Sequence, residues 1–287
     1  MRASNAPGAT GSERHELLSV SGLDVDYRTR GARLRAVNGV TFGLGPTEIL
    51  GIVGESGSGK STLGMVVAGF LAASGGSLTF DGTTTSDWRR HAGSGRKGIQ
   101  MIFQDSATAL NPRKDVVFSV AEAISAGAAV RSEHTDQAVE YLERVGLGPE
   151  LAHRKPRELS GGQRQRVAIA RALAARPRVL VCDESVSALD VSARAKILNL
   201  LVRIRKEEGI AMLFISHDLA VVSQLVDRVL VMRKGEVCEQ GPTDQVINRP
   251  ENPYTKRLLS AIPRLERSPA LTHVARDLAT HPEGAMR

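Results

Sequence analysis

The sequence predicts an α/β fold in which a parallel sheet carries a phosphate-binding loop. The apolar run EILGIVG at 48–54 leads directly into the glycine-rich stretch GESGSGKST at 54–62. Two more apolar runs, VLVCDE at 179–184 and AMLFIS at 211–216, are typical of buried parallel strands that end in polar residues. Other patterns add an antiparallel β subdomain and an inserted α-helical subdomain to this core.

The antiparallel part is predicted from strand-like patterns that turns interrupt. Residues 17–45 and 77–82 have this character, and we expect them to form a small sheet beside the core. Near the other end of the chain, VLVMRKGEVCEQG at 229–241 predicts a hairpin that turns at Lys234 and Gly235.

The helices are predicted from apolar residues at helical spacing. STLGMVVAGFLA, starting at Ser61, predicts a helix directly after the glycine-rich stretch. From about residue 105 to 158 the pattern is helical, with one helix predicted over SVAEAISAGAAV from Ser119, and we expect an inserted helical subdomain over about 105–170. A further helix is predicted over 190–208.

The glycine-rich stretch has the residues that phosphate binding requires. Gly57 and Gly59 leave room for successive N–H groups to surround phosphate oxygens at a helix N-terminus. Lys60 would reach the β- and γ-phosphates of a nucleotide, and the Ser61 hydroxyl would bind Mg²⁺. A glycine-rich surface turn is the alternative, but the strand, lysine, serine and helix all oppose it. The predicted nucleotide-binding residues are Gly54, Glu55, Ser56, Gly57, Ser58, Gly59, Lys60, Ser61 and Thr62.

Two carboxylates follow the apolar run VLVC, at the sheet edge where parallel sheets bind their ligands. We expect Asp183 to hold Mg²⁺ and Glu184 to polarise the attacking water. Neighbouring residues point to opposite sides of a strand, so the two carboxylates can take different roles. A solvated acidic pair at a strand end is the alternative interpretation.

The string LSGGQRQR at 159–166 predicts a second anion-binding helix N-terminus. Ser160 is a suitable N-cap, and two glycines expose the backbone N–H groups behind it. Because the chain already has one phosphate loop, a second anion site implies a second ligand or a second subunit. An ordinary capped amphipathic helix is the alternative.

Composition excludes several classes of protein. Among the 287 residues, 41% are hydrophobic, which is enough for a buried core, and no run of eighteen apolar residues predicts a membrane span. The polar N-terminus does not resemble a secretory signal. Cys182 and Cys238 fit no metal spacing, so reduced thiols in a cytoplasmic setting are expected.

The formal net charge of +7 allows contact with nucleic acid or with anionic lipid headgroups. Aromatic residues make up only 3% of the chain and form no evident stacking platform for bases. We therefore expect no nucleic-acid partner.

Four motifs, GESGSGKST, LSGGQRQR, VLVCDE and FISHD at 214–218, occur in an order that resembles the ATP-binding cassette (ABC) ATPases. The resemblance implies a RecA-like core of the P-loop NTPases, with ATP and Mg²⁺ as ligands. It also implies that a second ATP-binding subunit, identical or different, completes the site. The residues that would contact the γ-phosphate held by that subunit are Ser160, Gly161, Gly162 and Gln163.

The same resemblance assigns roles to residues that are uninformative alone. His217 would contact the γ-phosphate, although a histidine after a strand is usually a loop residue. Gln104 would sense Mg²⁺ and the attacking water and link the core to a membrane partner. Tyr27 would stack on adenine, unless it faces the sheet core. The implied catalytic residues are Glu184, His217 and Gln104. The implied metal ligands are Ser61, Gln104 and Asp183. The segment that would cross the dimer interface consists of Ser187, Ala188, Leu189 and Asp190.

Three less specific sequence motifs resemble the oligopeptide and dipeptide branch of ABC importers, whose members also carry nickel or glutathione. They are QDSATALNPR at 104–113, DVSARAKILNLL at 190–201 and ENPYTKRLLSAIP at 251–263. Ser106, and Ser185 with Val186, depart from the residues usual in the family, and we expect more mobile loops there. Leu258, Leu259 and Ile262 would form the packing face of a terminal helix.

The resemblance divides the chain and implies its partners. We expect a flexible tail over 1–16, an ATPase domain over 17–263 with an oligopeptide-transporter-type extension over about 240–263, and a flexible tail over 264–287. The implied function is ATP hydrolysis that powers import at the cytoplasmic face of the cell membrane. Two transmembrane permease subunits and an extracellular solute-binding protein would be its partners. An exporter subunit, or a non-transport ABC protein of DNA repair or translation, is the alternative.

Overall fold

The computed structural model describes residues 16–29, 32–85, 98–104, 110–126 and 128–260. Its central sheet has six strands. In spatial order they are β10 (Glu236–Pro242), β9 (Arg228–Arg233), β3 (Ile49–Val53), β8 (Ala211–Ser216), β7 (Val179–Asp183) and β6 (Ile99–Ile102). Five strands are parallel, and β10 pairs with β9 as an antiparallel hairpin. The predicted parallel core is confirmed.

A second sheet of four antiparallel strands lies beside this core. Its order is β2 (Ala32–Leu44), β1 (Leu18–Thr29), β4 (Gly75–Phe80) and β5 (Thr83–Thr85). Strands β1 and β2 lie within the predicted stretch 17–45, β4 overlaps the predicted stretch 77–82, and β5 lies just beyond it. The pairing of β1 with both β2 and β4 makes β1 the centre of that sheet.

Eight α-helices complete the described part of the chain. They are α1 (Lys60–Ala68), α2 (Val116–Ile124), α3 (Ser132–Arg144), α4 (Gly161–Ala174), α5 (Val191–Glu208), α6 (Leu219–Leu225), α7 (Thr243–Asn248) and α8 (Pro253–Ser260). Short 3-10 turns at Pro149–Leu151 and Pro156–Glu158 precede α4. Helices α2, α3 and α4 therefore lie in an insertion between β6 and β7, and its bounds at about 105–170 stay a prediction.

The central strands are buried on both faces because helices or the second sheet cover each face. Every residue of β3, β7 and β8 is buried. One apolar core lies between the central sheet and the helical insertion. The other lies where the central sheet packs against α1 and the antiparallel sheet. Apolar side chains on both faces of a strand are the reason why these segments are continuous hydrophobic runs.

Two helices differ from their predicted bounds. The first ends at Ala68, before the apolar run FLA, because Gly69 adopts φ 83° and closes the helix in the left-handed region. Helix α2 begins at Val116 rather than Ser119, and the chain leaves helical geometry at Ala126, whose φ is 49°. The hairpin at Lys234 and Gly235, with φ 49° and 86°, is confirmed.

Some predictions fall on residues outside the described ranges. They include Ser106, Ile262, all of the predicted C-terminal tail, and the predicted N-terminal tail except Glu16.

Candidate nucleotide-binding site

The segment that we call the phosphate loop, residues 54–62, connects β3 to the start of α1. Gly59 has a φ of 102°, and a Cβ at this position would collide with the carbonyl oxygen of Ala36. Only glycine fits both the backbone angle and this close approach. The loop can therefore curl tightly at the helix N-terminus, as a phosphate-binding loop must.

Lys60 lies inside the curl of the phosphate loop. Its side chain is buried, and its ammonium donates hydrogen bonds to the carbonyl oxygens of Gly54 and Glu55, each at 2.8 Å. Burial lowers the pKa of Lys60, while the nearby carboxylates of Glu184 and Asp183 act in the opposite direction. An ammonium group held by exchangeable carbonyl contacts fits a site for phosphate oxygens.

Ser61 and Asp183 meet beside this lysine. The Ser61 hydroxyl donates a hydrogen bond to Asp183 Oδ1 at 3.0 Å, across the gap between α1 and the end of β7. Asp183 is buried, and burial raises the pKa of its carboxyl above the usual range. A hydroxyl and a carboxylate are oxygen ligands of the kind that Mg²⁺ prefers.

The described residues contain no cluster of three or more His, Cys, Asp or Glu side chains that could enclose a metal ion. Mg²⁺ usually keeps several waters and binds one or two carboxylates together with substrate phosphates, and Ser61 with Asp183 offers a hydroxyl and one such carboxylate. The donor set therefore fits Mg²⁺ bound together with a nucleotide.

Glu184 contacts side chains from two other elements. The Gln104 side-chain amide donates to Oε2 at 3.0 Å, and His217 Nδ1 lies 3.1 Å from Oε1. Gln104 follows β6 and His217 follows β8, so the carboxyl ends of three neighbouring strands meet at this carboxylate. The structure thus brings together the three residues expected to be catalytic.

The prediction that strand alternation separates the carboxylates of Asp183 and Glu184 is wrong. Strand β7 ends at Asp183, and Glu184 lies in the following turn with a φ of 44°. A non-glycine residue in this region is strained by about 1–3 kcal/mol, and such residues cluster at functional sites. The turn, and not strand alternation, directs Glu184 away from Asp183 and Ser61.

Gln104 was expected to act both as a catalytic residue and as a metal ligand. In the structure its amide nitrogen is bonded to Glu184, on the side of the site where His217 lies. This position fits the first expectation, and its binding to metal stays a prediction.

Tyr27, on β1, lies next to the phosphate loop. Its side chain is half-buried, and its hydroxyl oxygen is 3.3 Å from Thr62 Oγ1. Leu34 is paired with it on β2 and is 59% exposed, so an apolar surface borders the tyrosine. Tyr27 therefore lies within reach of the loop, and its stacking on adenine stays a prediction.

The LSGGQRQR string begins α4 as expected. The Gln163 backbone N–H donates to Ser160 Oγ at 3.3 Å, and the Ser160 N–H donates to Gln163 Oε1 at 2.9 Å, which forms a capping box. A Cβ on Gly162 would lie 3.4 Å from the Cβ of Ala193, so the glycine lets α4 and α5 approach closely. These contacts are local to the helix, and contact with a second subunit stays a prediction.

Sequence reasoning missed one residue that touches the phosphate loop. Tyr254, on α8, accepts a hydrogen bond from the Glu55 backbone N–H at 3.1 Å. We had expected Leu258 and Leu259 to form the packing face of this helix. They are partly buried against the core, whereas Tyr254 and Thr255 are its buried residues. An aromatic residue in an otherwise polar first turn was the available signal.

A groove of about 930 Å³ separates β6 from helices α2, α3 and α4. At its rim, Phe70 and Phe103 are 40% and 38% exposed, and their ring centroids lie 5.4 Å apart. Exposed aromatic residues that border a groove are typical of a surface that binds another protein. We call this surface the helical groove.

No helix in the described ranges is both long enough and apolar enough to cross a lipid bilayer.

Comparison with protein families gives two matches. A family model described as ABC transporter matches residues 37–187. A second model, described as the C-terminal region of oligopeptide/dipeptide transporters, matches residues 238–284.

Curated proteins give similar results. The glutathione import ATP-binding protein GsiA of Pectobacterium atrosepticum is 46% identical over 259 residues, which cover 86% of this chain and 41% of that protein. A putative peptide import ATP-binding protein of Brucella ovis is 43% identical over 253 residues, covering 86% of this chain and 78% of the relative. The chain thus spans less than half the length of the GsiA relative.

Solved structures also match the fold. A dimeric post-hydrolysis state of the ATP-binding cassette MJ0796 bound to ADP and Pi has a TM-score of 0.69 and 27% identity, covering 79% of this chain and 98% of that chain. CbiO1 of Clostridium perfringens, described as part of the ABC transporter complex CbiONQ, has a TM-score of 0.72 and 29% identity. That match covers 91% of this chain and 99% of CbiO1.

Proposed function

We propose that this chain, which belongs to the ABC transporter family, hydrolyses ATP to power import across a membrane. The observation that carries the proposal is the convergence of Gln104, Glu184 and His217 beside the phosphate loop. We further propose that 17–263 form the ATPase domain, with the helical subdomain over about 105–170.

The residues around the phosphate loop would bind the triphosphate. The loop N–H groups and the Lys60 ammonium would exchange their present partners for β- and γ-phosphate oxygens. Ser61 and Asp183 would hold Mg²⁺, which when bound neutralises phosphate charge that develops during transfer. Tyr27 would support the adenine ring from the side of Thr62.

Glu184 would act as the base for the attacking water. Phosphoryl transfer depends mainly on positioning and charge stabilisation, so a carboxylate contacted by two side chains is suited to orient one water molecule. Gln104 and His217 fix the two oxygens of this carboxylate, and the left-handed turn at Glu184 fixes its direction. The proton of the water would pass to Glu184 as the water oxygen bonds to the γ-phosphorus and the bond from the γ-phosphorus to the bridging β–γ oxygen breaks, which leaves ADP and phosphate as products.

A second copy or a related subunit would complete the site. The capped N-terminus of α4 presents the N–H groups of Gly161 and Gly162 to an anion. The cassette MJ0796, which resembles this chain, is dimeric in its ADP-bound state. We propose that Ser160–Gln163 contact the γ-phosphate bound by the opposite subunit.

Two permease subunits would form the transport pathway. We propose that a segment of the permease docks in the helical groove, where Phe70 and Phe103 are exposed. The chain would then lie at the cytoplasmic face of the cell membrane, and an extracellular protein would deliver the solute. The similarity to peptide and glutathione import proteins supports an oligopeptide, a dipeptide or glutathione as that solute, and nickel stays an alternative that the resemblance implied.

The direct test is solute uptake by cells that depend on this chain. Cells with the wild-type chain should accumulate a labelled dipeptide or labelled glutathione, and cells with Glu184→Gln should not. Genes for permease subunits and a solute-binding protein beside this gene would favour import. Loss of a solute from cells with the wild-type chain, without uptake, would instead indicate an exporter.

A further inference from the structure

The outer side of the phosphate loop is held by the segment of the chain that follows β9. The Gly235 backbone N–H donates to the carbonyl oxygen of Ser58 at 3.0 Å, and the Glu55 N–H donates to the Tyr254 hydroxyl at 3.1 Å. These residues are separated in sequence by 177 and 199 positions, respectively, from the loop residues that they contact. The chain after β9 therefore contacts the loop at two points.

The Tyr254 ring is fixed by its surroundings. The residue is only 4% exposed, and the Arg233 guanidinium lies over its ring, 5.0 Å from the centroid. Its backbone N–H donates to the Asn252 side-chain oxygen at 2.8 Å. A ring held by packing and by a cation–π contact places its hydroxyl with little freedom.

The start of α8 is tied to β10. The Glu239 carboxylate accepts hydrogen bonds from the backbone N–H groups of Glu251 and Asn252, at 2.8 and 3.2 Å. The Asn252 side-chain amide donates to the Cys238 carbonyl oxygen at 2.9 Å. These contacts connect the tyrosine to the central sheet as well as to the phosphate loop.

Glu55 connects Tyr254 with the lysine of the phosphate loop. The Glu55 carbonyl oxygen accepts from the Lys60 ammonium at 2.8 Å, while its N–H donates to Tyr254. The orientation of this one peptide segment therefore depends on both side chains. A change at Tyr254 would therefore alter the position of the Glu55 carbonyl oxygen that accepts the hydrogen bond from Lys60.

We propose that Tyr254 is a positioning residue that holds the phosphate loop in its nucleotide-binding conformation. The C-terminal region thereby contributes directly to nucleotide affinity, without touching the nucleotide. This inference rests on the proposed ATP binding. A preordered loop loses less conformational freedom when the nucleotide binds, so the hydroxyl would affect ATP affinity more than the chemical step.

Tyr254→Phe tests the proposal because it removes only the hydroxyl and keeps the ring under Arg233. The matched control is Tyr141→Phe on α3, where the ring lies 5.2 Å from the Arg144 guanidinium carbon. Equilibrium binding of a fluorescent ATP analogue and steady-state hydrolysis would be measured on the full-length chain. Thermal unfolding would be recorded for each variant.

For Tyr254→Phe we expect Kd and KM for ATP to rise about three- to tenfold, the effect of one lost hydrogen bond. The kcat at saturating ATP should stay within about twofold of the wild-type value. Tyr141→Phe should leave both Kd and KM unchanged.

Equal ATP affinity of Tyr254→Phe and the wild-type chain would overturn the inference. A lower Tm with unchanged KM would also overturn it, because the hydroxyl would then act only on stability. A wild-type chain that does not bind the analogue would instead refute the proposed function and the inference together. The wild-type measurement therefore separates the two failures.

Discussion

Replacing Glu184 by Gln tests the proposed base most sharply. In the structure one oxygen of this carboxylate accepts a hydrogen bond from Gln104 Nε2 at 3.0 Å, and the other lies 3.1 Å from His217 Nδ1. A glutamine side chain keeps one acceptor and replaces the other with an NH₂ group, which cannot accept. It is similar in size to glutamate and can adopt the same backbone angle.

The expected effect of Glu184→Gln on catalysis is much larger than its effect on binding. Loss of a general base slows a reaction by about 10²–10⁴-fold, which corresponds to about 2.7–5.5 kcal/mol in the barrier. Loss of one partly exposed hydrogen bond changes the free energy of unfolding by about 1 kcal/mol. The contacts of Lys60 with the phosphate loop are unchanged, so ATP affinity should stay within about threefold of the wild type.

The assay measures phosphate release, ATP-analogue binding and size-exclusion elution with ATP. We expect almost no phosphate release, normal binding and an ATP-trapped dimer. Glu48→Gln is a matched control, because the Glu48 carboxylate also holds two partners, Arg228 at 2.9 Å and the Gly45 N–H at 2.7 Å. It precedes β3, at the end opposite the phosphate loop. Normal turnover by Glu184→Gln would refute the assignment of the base.

Three further predictions follow from the site. Lys60→Ala should weaken ATP binding on the order of a hundredfold, because a buried cation is lost, and an affinity within twofold of wild type in equilibrium binding would contradict this. Ser61→Ala removes the hydroxyl bonded to Asp183, so half-maximal hydrolysis should require roughly tenfold more Mg²⁺ in a titration. Burial raises the pKa of the Cys182 thiol from 9.0 to about 12, so this thiol holds its proton more tightly in the folded chain than in the unfolded chain. Stability should fall as pH rises from 9 towards 12, more steeply than in Cys182→Ala, and urea unfolding at several pH values checks this difference.

The sequence predicts the core strands well because a strand buried on both faces consists almost entirely of apolar residues. Strands β3, β7 and β8 are largely apolar runs, and they lead into the phosphate loop, into Asp183 with Glu184, and into His217, respectively. The hairpin turn at Lys234 and Gly235 was equally readable, because few residue pairs adopt two successive positive φ angles.

Contacts between distant parts of the chain could not be read from local patterns. Gln104 and Glu184 are 80 positions apart, and Glu55 and Tyr254 are 199 apart. Their meeting depends on strand order and on the path of α8, neither of which has a local signal. The end of α1 at Ala68 was missed because the apolar pattern continues past Gly69, whose backbone angle stops the helix.

The central claim is that two subunits together hydrolyse ATP at the phosphate loop. It is tested most directly by phosphate release per chain across a wide dilution series, with light scattering to report the oligomeric state. The account predicts total phosphate release that rises more than linearly with protein concentration, so that the rate per chain increases with concentration or on addition of partner subunits, and this release is absent in Glu184→Gln. A constant rate per chain while light scattering reports only monomer would contradict it, because the site would then be complete within one subunit.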